Sequence, residues 1–376
     1  MLVIRDLLAT MMQVKASDLY LTADSPPMFR VEGITRPASD AMLSAQNVEE
    51  IANSIMSEKQ KAAFAEQLEM NLALYYPDIG RFRVNIYQQR NCVGIVIREI
   101  RMDIPSIDDW KLPPILKDIC MTKRGLVIVV GGTGTGKSTS LAAMIEYRNT
   151  HAPGHIVTIE DPIEFIHPHK KSIVSQREIG MDTHGYAAAL KNTMRQAPDV
   201  ILIGEIRDSE TMEAAIVFSE TGHLCLTTLH ANNANQAIER IMNFFPPERH
   251  DQIYFQLSLN LRAIISQRLI PSVDGKRVAA IEILLDSPRA KDLIMKKRID
   301  TLKEVMAQGT REGMQTFDQA IFELYKSGRI IYENAIIYAD SVNDLRLRIK
   351  LEGLAEGNIP SESVDALRLK PDFKGL

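Results

Sequence analysis

The stretch VVGGTGTGKSTS sets Gly131, Gly136, Lys137 and Ser138 in the order GxxxxGK[ST], directly after an apolar run and directly before a helical one. Each residue type has a physical reason to be there. Glycines let backbone N–H groups close around phosphates, and the start of a helix adds positive potential. A lysine bridges the β and γ oxygens, and a serine hydroxyl ligates Mg²⁺. At average residue frequencies the bare pattern arises on the order of once in a hundred chains of this length. Its strand-to-helix context lowers that further. The candidate cradle for a nucleoside triphosphate is Gly131, Gly132, Thr133, Gly134, Thr135, Gly136, Lys137, Ser138 and Thr139. The DTHG at Asp182 to Gly185 matches a guanine-nucleotide switch over four residues only, and no NKxD follows, so adenine is the expected base.

Hydrolysis also needs acidic groups for metal and water, and cations for the charge on the transferring phosphoryl group. Two apolar runs end in carboxylates: IVTIEDPIEF in Glu160 and Asp161, and DVILIGEIRD in Glu205. Strand ends on the ligand side of an open α/β sheet converge on the crevice, so both positions carry meaning. Pattern alone leaves a second reading open, in which Glu160 and Asp161 begin a turn and Glu205 caps the next helix. Gly204 precedes Glu205, so that strand end offers one carboxylate and not two.

His223 and His230 bracket the run LCLTTL. As a strand it rises ~3.3 Å per residue, which separates the two rings by roughly 20 Å. A shared metal, with ligands ~2 Å from the ion, is excluded on that reading. The HPH at His167 to His169 is followed by Lys170 and Lys171 and reads as a solvated loop rather than a metal site.

These residues need elements to hold them. The chain has 376 residues, 45% of them hydrophobic, enough for two or three domains with sizeable cores. A formal net charge of −4 gives no basic excess to condense on a nucleic-acid backbone or an acidic membrane. Cys92, Cys120 and Cys225 form no CxxC, which fits a reducing, cytoplasmic setting. Arg5 and Asp6 interrupt the apolar N-terminal stretch, which reads as an amphipathic helix rather than a signal peptide. No run approaches the ~18 to 20 apolar residues that span a bilayer.

Residues 1–104 read as a small α+β domain. ASDLYLTADSPPMFRVEGI is strand, turn, strand; SAQNVEEIANSIMSEKQKAAFAEQ is one helical block; GRFRVNIYQQRNCVGIVIREI is a strand pair turning near Asn91. Residues 105–123, with three prolines, form a linker into a short helix. From 124 to 350, the runs LVIVV, HIVTI, DVILIG and LCLTTL alternate with helical segments, which predicts a mostly parallel sheet with helices on both faces. Residues 351–376 lose the pattern and are expected to be a flexible tail.

The blocks GGTGTGKST, TIEDPIEF, QREIG, RQAPDVILIGEIRD and ETGHLCLTTLHANNA, in this order and spacing, resemble the secretion-type traffic ATPases over about residues 1–345. That family comprises the hexameric motors of type IV pili and type II secretion. The resemblance implies an α/β fold, with a PAS-like α+β N-terminal domain followed by a RecA-like P-loop motor domain. It gives phosphate and Mg²⁺ to Lys137 and Ser138. Glu160 of the Asp box and Glu205 of the Walker B block would position metal and attacking water, so the metal set is Ser138, Glu160 and Glu205. Which glutamate is the general base stays open. His230 resembles the γ-phosphate sensor of the His box, and His223 has a structural or subunit-contact role. In this family arginines of the N-terminal domain reach nucleotide at a domain or subunit interface. Arg83 and Arg98, on paired strand segments, are the counterparts here.

Assembly-type members carry a longer N-terminal extension and a tetracysteine zinc site, and this chain has neither. It is therefore more similar to the retraction branch, the PilT/PilU-type twitching motility ATPases, and to their PilU side. In SPRAKDLIMKK, Ala290 and Lys291 stand where the branch motif AIRxLI has Ile and Arg, a departure that leaves open whether the chain drives retraction alone or with a PilT-type paralogue. The implied protein is a Mg²⁺-dependent, hexameric, cytoplasmic ATPase. It would power pilus retraction against an inner-membrane platform protein, touch the membrane only indirectly and bind no nucleic acid. The alternatives are an assembly-type pilus or secretion ATPase and a RecA-like nucleic-acid motor, for which Lys296 to Arg298 is a thin basis.

Overall fold

The structure is a computed structural model that describes residues 4–100 and 103–353. Most of the expected tail, residues 354–376, lies outside the described residues. The chain divides into two compact units, residues 1–105 with 153–198, and residues 106–152 with 199–376.

In the first unit α1 (Ile4–Gln13) leads to β1 (Asp18–Leu21), β2 (Met28–Val31) and β3 (Ile34–Pro37), then α2 (Ala45–Ile55) and α3 (Glu58–Gln67), then β4 (Glu69–Tyr76), β5 (Gly80–Gln89) and β6 (Cys92–Ile100). The six strands form an antiparallel sheet in the order β3-β2-β1-β6-β5-β4. Burial alternates along β5, with Phe82, Val84 and Ile86 inside and Arg81, Arg83 and Asn85 half-exposed. The buried face packs with Leu8 and Met11 of α1 and Val48 and Ile51 of α2 into one core. Arg90 and Asn91 join β5 to β6 with φ of +46° and +62°, the left-handed pair that a tight two-residue hairpin requires.

The helical block expected over residues 44–67 is two helices. Ser57 interrupts it by starting the second one, its hydroxyl accepting the Gln60 N–H while the Gln60 side chain accepts the Ser57 N–H. Ser44 and Asn47 build the same capping box on the first.

Next along the chain are α4 (Ile115–Cys120), β7 (Gly125–Val130) and α5 (Lys137–His151) of the second unit, then β8 (Gly154–Glu160), β9 (Ser172–Glu178) and α6 (Tyr186–Thr193) of the first. β8 and β9 pair in parallel. The second unit resumes with β10 (Val200–Ile203), α7 (Ser209–Glu220), β11 (Leu224–Leu229), α8 (Ala234–Met242), α9 (His250–Asn260), β12 (Leu261–Pro271), β13 (Arg277–Leu285) and α10 (Pro288–Met295). It closes with α11 (Leu302–Gln308), α12 (Phe317–Lys326), α13 (Tyr332–Tyr338) and α14 (Val342–Leu351).

Its strands run β13-β12-β7-β11-β10, parallel throughout except for the antiparallel β12/β13 hairpin. Every residue of β7 and β11 is buried, so both faces of these strands are covered, as continuous apolar runs require. An N-terminal α/β domain is thus followed by a RecA-like P-loop domain. No helix among the described residues is long and apolar enough to cross a membrane.

Candidate nucleotide site

Register brings the site loops of the second unit to one level. Leu229 of β11 pairs with Val130 of β7, and Ile203 of β10 pairs with Thr227. Gly131, His230 and Glu205 therefore leave the carboxyl ends of three adjacent parallel strands side by side, where open α/β sheets bind ligands. A cavity of about 350 Å³ opens there, lined by Gly131, Gly132, His230, Asn232 and the α8 residues Gln236 and Arg240.

The loop after β7 has the shape a phosphate cradle needs. Gly134 and Gly136 have φ of +75° and +87°, backbone that L side chains rarely adopt. A Cβ on Gly131 would lie 2.5 Å from Thr135 Oγ1. Lys137 Nζ donates to the Gly131 and Gly132 carbonyls, both at 2.9 Å, and Thr135 Oγ1 donates to the Gly132 carbonyl at 2.9 Å, curling the loop on itself. α5 begins at Lys137 with no side-chain cap from Gly136, and the positive end of the helix faces the loop. Ser138 and Thr139 sit half-exposed in that first turn, and Thr133 is exposed at the loop tip. These residues fit a nucleotide polyphosphate, and Ser138 offers the hydroxyl that a phosphate-bound Mg²⁺ takes.

Thr228 of β11 fixes the loop that carries Glu205. Its carbonyl accepts the Ile206 N–H at 2.9 Å and its hydroxyl donates to the Gly204 carbonyl at 2.7 Å. The Glu205 carboxylate accepts Arg207 Nε at 2.9 Å and lies 3.2 Å from His230 Nε2. Asp208, and not Glu205, caps α7, accepting the Thr211 N–H at 2.8 Å, so the capping role left open for Glu205 falls to another residue. His223 sits just before the other end of β11, where Nδ1 lies 3.1 Å from Thr221 Oγ1 and 3.2 Å from the Phe218 carbonyl. It ties the end of α7 to the strand.

Glu160, Arg83 and Arg98 belong to the first unit. Glu160 ends β8, its carboxylate tucked between Thr158 Oγ1 at 2.6 Å and Gln176 Nε2 at 3.3 Å. Burial pushes its pKa from the ordinary 4.5 up to about 7; the two hydrogen bonds oppose the rise, and the charges of Glu164 and Glu178 add to it. Between those values the native chain holds a proton that the unfolded chain has released, so stability falls as pH rises from about 4.5 to 7. Glu160→Gln cannot ionise and escapes this loss. Thermal midpoints of the nucleotide-free variant and wild type should diverge between about pH 5 and 8, with the variant higher at the alkaline end. Parallel pH curves would contradict a carboxylate strained by burial.

Arg83 and Arg98 are direct cross-strand partners on β5 and β6. Like charges in that position repel, which costs stability unless something else uses them. Asp18 of β1, buried and registered opposite Arg98, accepts Arg98 Nε at 2.8 Å. Arg83 and Arg81 lie close enough to Glu178 of β9 to pull its pKa down, against the larger upward push of burial.

Arg207, Thr228, Glu178 and Gln267 of β12 were not singled out by sequence. Thr228 leaves a trace, as one of two hydroxyls, with Thr227, in an otherwise apolar strand, whereas Glu178 and Gln267 gain meaning only through tertiary partners and Arg207 through Glu205 two residues away.

The chain's likeness to known proteins agrees with this geometry. The family described as Type II/IV secretion system protein matches residues 3–334. The type IV pilus ATPase PilU of Pseudomonas aeruginosa is 54% identical over 365 residues, 97% of this chain and 96% of PilU. The type IV pilus retraction ATPase PilT of the same organism is 41% identical over 332 residues, 88% of this chain and 96% of PilT. A crystal structure of the pilus retraction motor PilT with bound ADP superposes with a TM-score of 0.86 at 38% identity, covering 92% of this chain and 100% of that one. With a P-loop, a strand-end glutamate and a strand-end histidine at one level, and identity of this extent, the chain belongs to the type II/IV secretion system protein family, among its PilT/PilU-type ATPases.

Proposed function

We propose that this chain hydrolyses ATP as a cytoplasmic hexamer to power type IV pilus retraction, working beside a PilT-type paralogue. It would push against an inner-membrane platform protein that supplies its only link to the membrane. The observation that carries the hydrolytic part is the meeting of Gly131, Glu205 and His230 at the level ends of β7, β10 and β11. Pilus retraction rests on similarity to PilT and PilU.

In this reading residues 1–104 are a PAS-like domain, 105–123 a linker and 124–350 the motor. The loop from Gly131 to Thr139 wraps the phosphates. Lys137 leaves its two carbonyls for the β and γ oxygens, exchanging weak neutral acceptors for charged ones. Ser138, Glu160 and Glu205 would hold Mg²⁺, which when bound would supply positive charge against that developing on the phosphoryl group. Glu205 orients and deprotonates the attacking water. His230, with Nε2 3.2 Å from the Glu205 carboxylate, would link it to the γ-phosphate end of the site. Arg83 and Arg98 supply positive charge in the assembled motor.

Dependence on a paralogue is supported by α10. Ala290 is fully buried where the branch motif has the larger Ile, and Lys291 is paired with Asp286 at 2.9 Å.

Lys137→Ala tests the reading. Steady-state phosphate release by the purified full chain should fall by ~10² to 10³, the scale of losing one fixed charge at a transferring group. The same substitution in cells should give excess pili and no twitching. Undiminished release would remove the ATPase assignment, and absent pili would point to assembly.

A further inference from the structure

We propose that Gln267 is a positioning residue that aims the Gly136 N–H into the phosphate cradle. This rests on the reading of residues 131–139 as the nucleotide site. Gln267 follows Ser266, which is registered with Val130, so on β12 it lies beside Gly131, the first residue of the loop. It is almost completely buried, at 2% exposure, and both ends of its amide are used. Nε2 donates to the Thr135 carbonyl at 2.8 Å, and Oε1 accepts the hydroxyl of Ser140, in α5, at 2.7 Å. The amide orientation follows from chemistry, because a carbonyl can only accept and must therefore face the NH₂ end.

A trans peptide is planar, with its C=O and N–H pointing in opposite directions. Pulling the Thr135 carbonyl toward β12 turns the N–H of the same peptide unit, that of Gly136, away from β12 and toward the concave side of the loop. The N–H groups of such loops are what phosphate oxygens bind. Two glycines make room for the device. A Cβ on Gly136 would lie 2.9 Å from Gln267 Nε2, and one on Gly131 would lie 2.7 Å from the Gln267 carbonyl. Gly131 and Gly136 thus serve the glutamine as well as the ligand.

Gln267→Met keeps length and volume but removes donor and acceptor. Using the purified full chain with ADP and Mg²⁺ as the probe, Kd should rise about tenfold, the scale of one lost buried hydrogen bond whose partner is left unpaired. KM for ATP should rise in parallel, and kcat at saturation should stay within about threefold of wild type. A merely structural role would lower the thermal midpoint and leave the Kd of the folded protein unchanged, which would overturn the inference.

Ser140→Ala frees the other end of the amide and should raise KM about threefold. If the methionine variant does not fold, an unchanged KM in Ser140→Ala overturns the proposal. Lys137→Ala separates the two levels. If it abolishes binding while Gln267→Met binds normally, only the positioning role fails. If it binds and turns over normally, the nucleotide-site reading fails with it.

Discussion

Arg83→Ala is expected to lower kcat for ATP hydrolysis by ~10³ or more while Kd for ADP and the thermal midpoint stay near wild type. The first half follows from the proposed role, since an arginine supplied to the transferring phosphoryl group acts only in the transition state. The second half follows from the sheet. Arg83 faces Arg98 directly, so its removal relieves a repulsion. The carboxylate it leaves behind, Glu178, keeps the Ile163 N–H at 3.1 Å.

Arg98→Ala is a poorer probe, because it strips the buried Asp18 carboxylate of its Arg98 Nε donor at 2.8 Å. That should cost about 1–3 kcal/mol, since Arg98 is well exposed and water can replace part of the interaction. Rate loss in that variant must therefore be read beside the Arg98→Ala, Asp18→Asn double variant, in which the unpaired charge is gone. Unchanged turnover in Arg83→Ala, with phosphate release measured at saturating ATP, would discard the finger reading for this residue.

Where one physical cause dominated, the sequence was enough to find the element. Apolar runs that lie buried on both faces predicted β7, β8, β10 and β11, and GxxxxGK[ST] located a loop whose backbone must turn through glycine conformations. β4 escaped because five of the eight residues of Glu69–Tyr76 are Glu, Met, Leu or Ala, helix formers whose preference is overridden by pairing with β5 along its full length. β3 escaped because all four of its residues are exposed and carry no burial pattern. The break at Ser57 was legible as S-x-x-Q, but the helical periodicity running through it masked the cap. Residue types at strand ends pointed to Glu205 and His230 in the second unit and to Glu160 in the first. What could not be read was their company: Thr228 placing Glu205 and Gln267 under the cradle join segments distant in sequence, while Arg207, two residues from Glu205, carries no signal of which way it turns. Helix capping was also underdetermined, since Glu205 and Asp208 are both plausible starts for α7 until the Thr211 N–H is seen to choose Asp208.

Glu205→Gln is expected to cut kcat by up to ~10⁴ with nucleotide Kd changed only a few-fold. The P-loop contacts are untouched by the change, so ground-state binding should survive. The carboxylate, however, accepts Arg207 Nε on Oε2 and has His230 Nε2 3.2 Å from Oε1. A glutamine carries no charge and accepts on one oxygen only, so the surroundings of the other end change. Base strength and geometry are lost together. His230→Ala removes a neighbour of the carboxylate and leaves the base, so its loss should be smaller, on the order of tenfold. If the two act as one unit, the double variant should be little slower than Glu205→Gln alone, as coupled catalytic groups behave. Additive losses in single-turnover phosphate release would mean that the histidine works independently of the carboxylate it touches. A Glu205→Gln enzyme with near-normal kcat would move the water-activating role to Glu160, whose pKa of about 7 suits a general base at neutral pH.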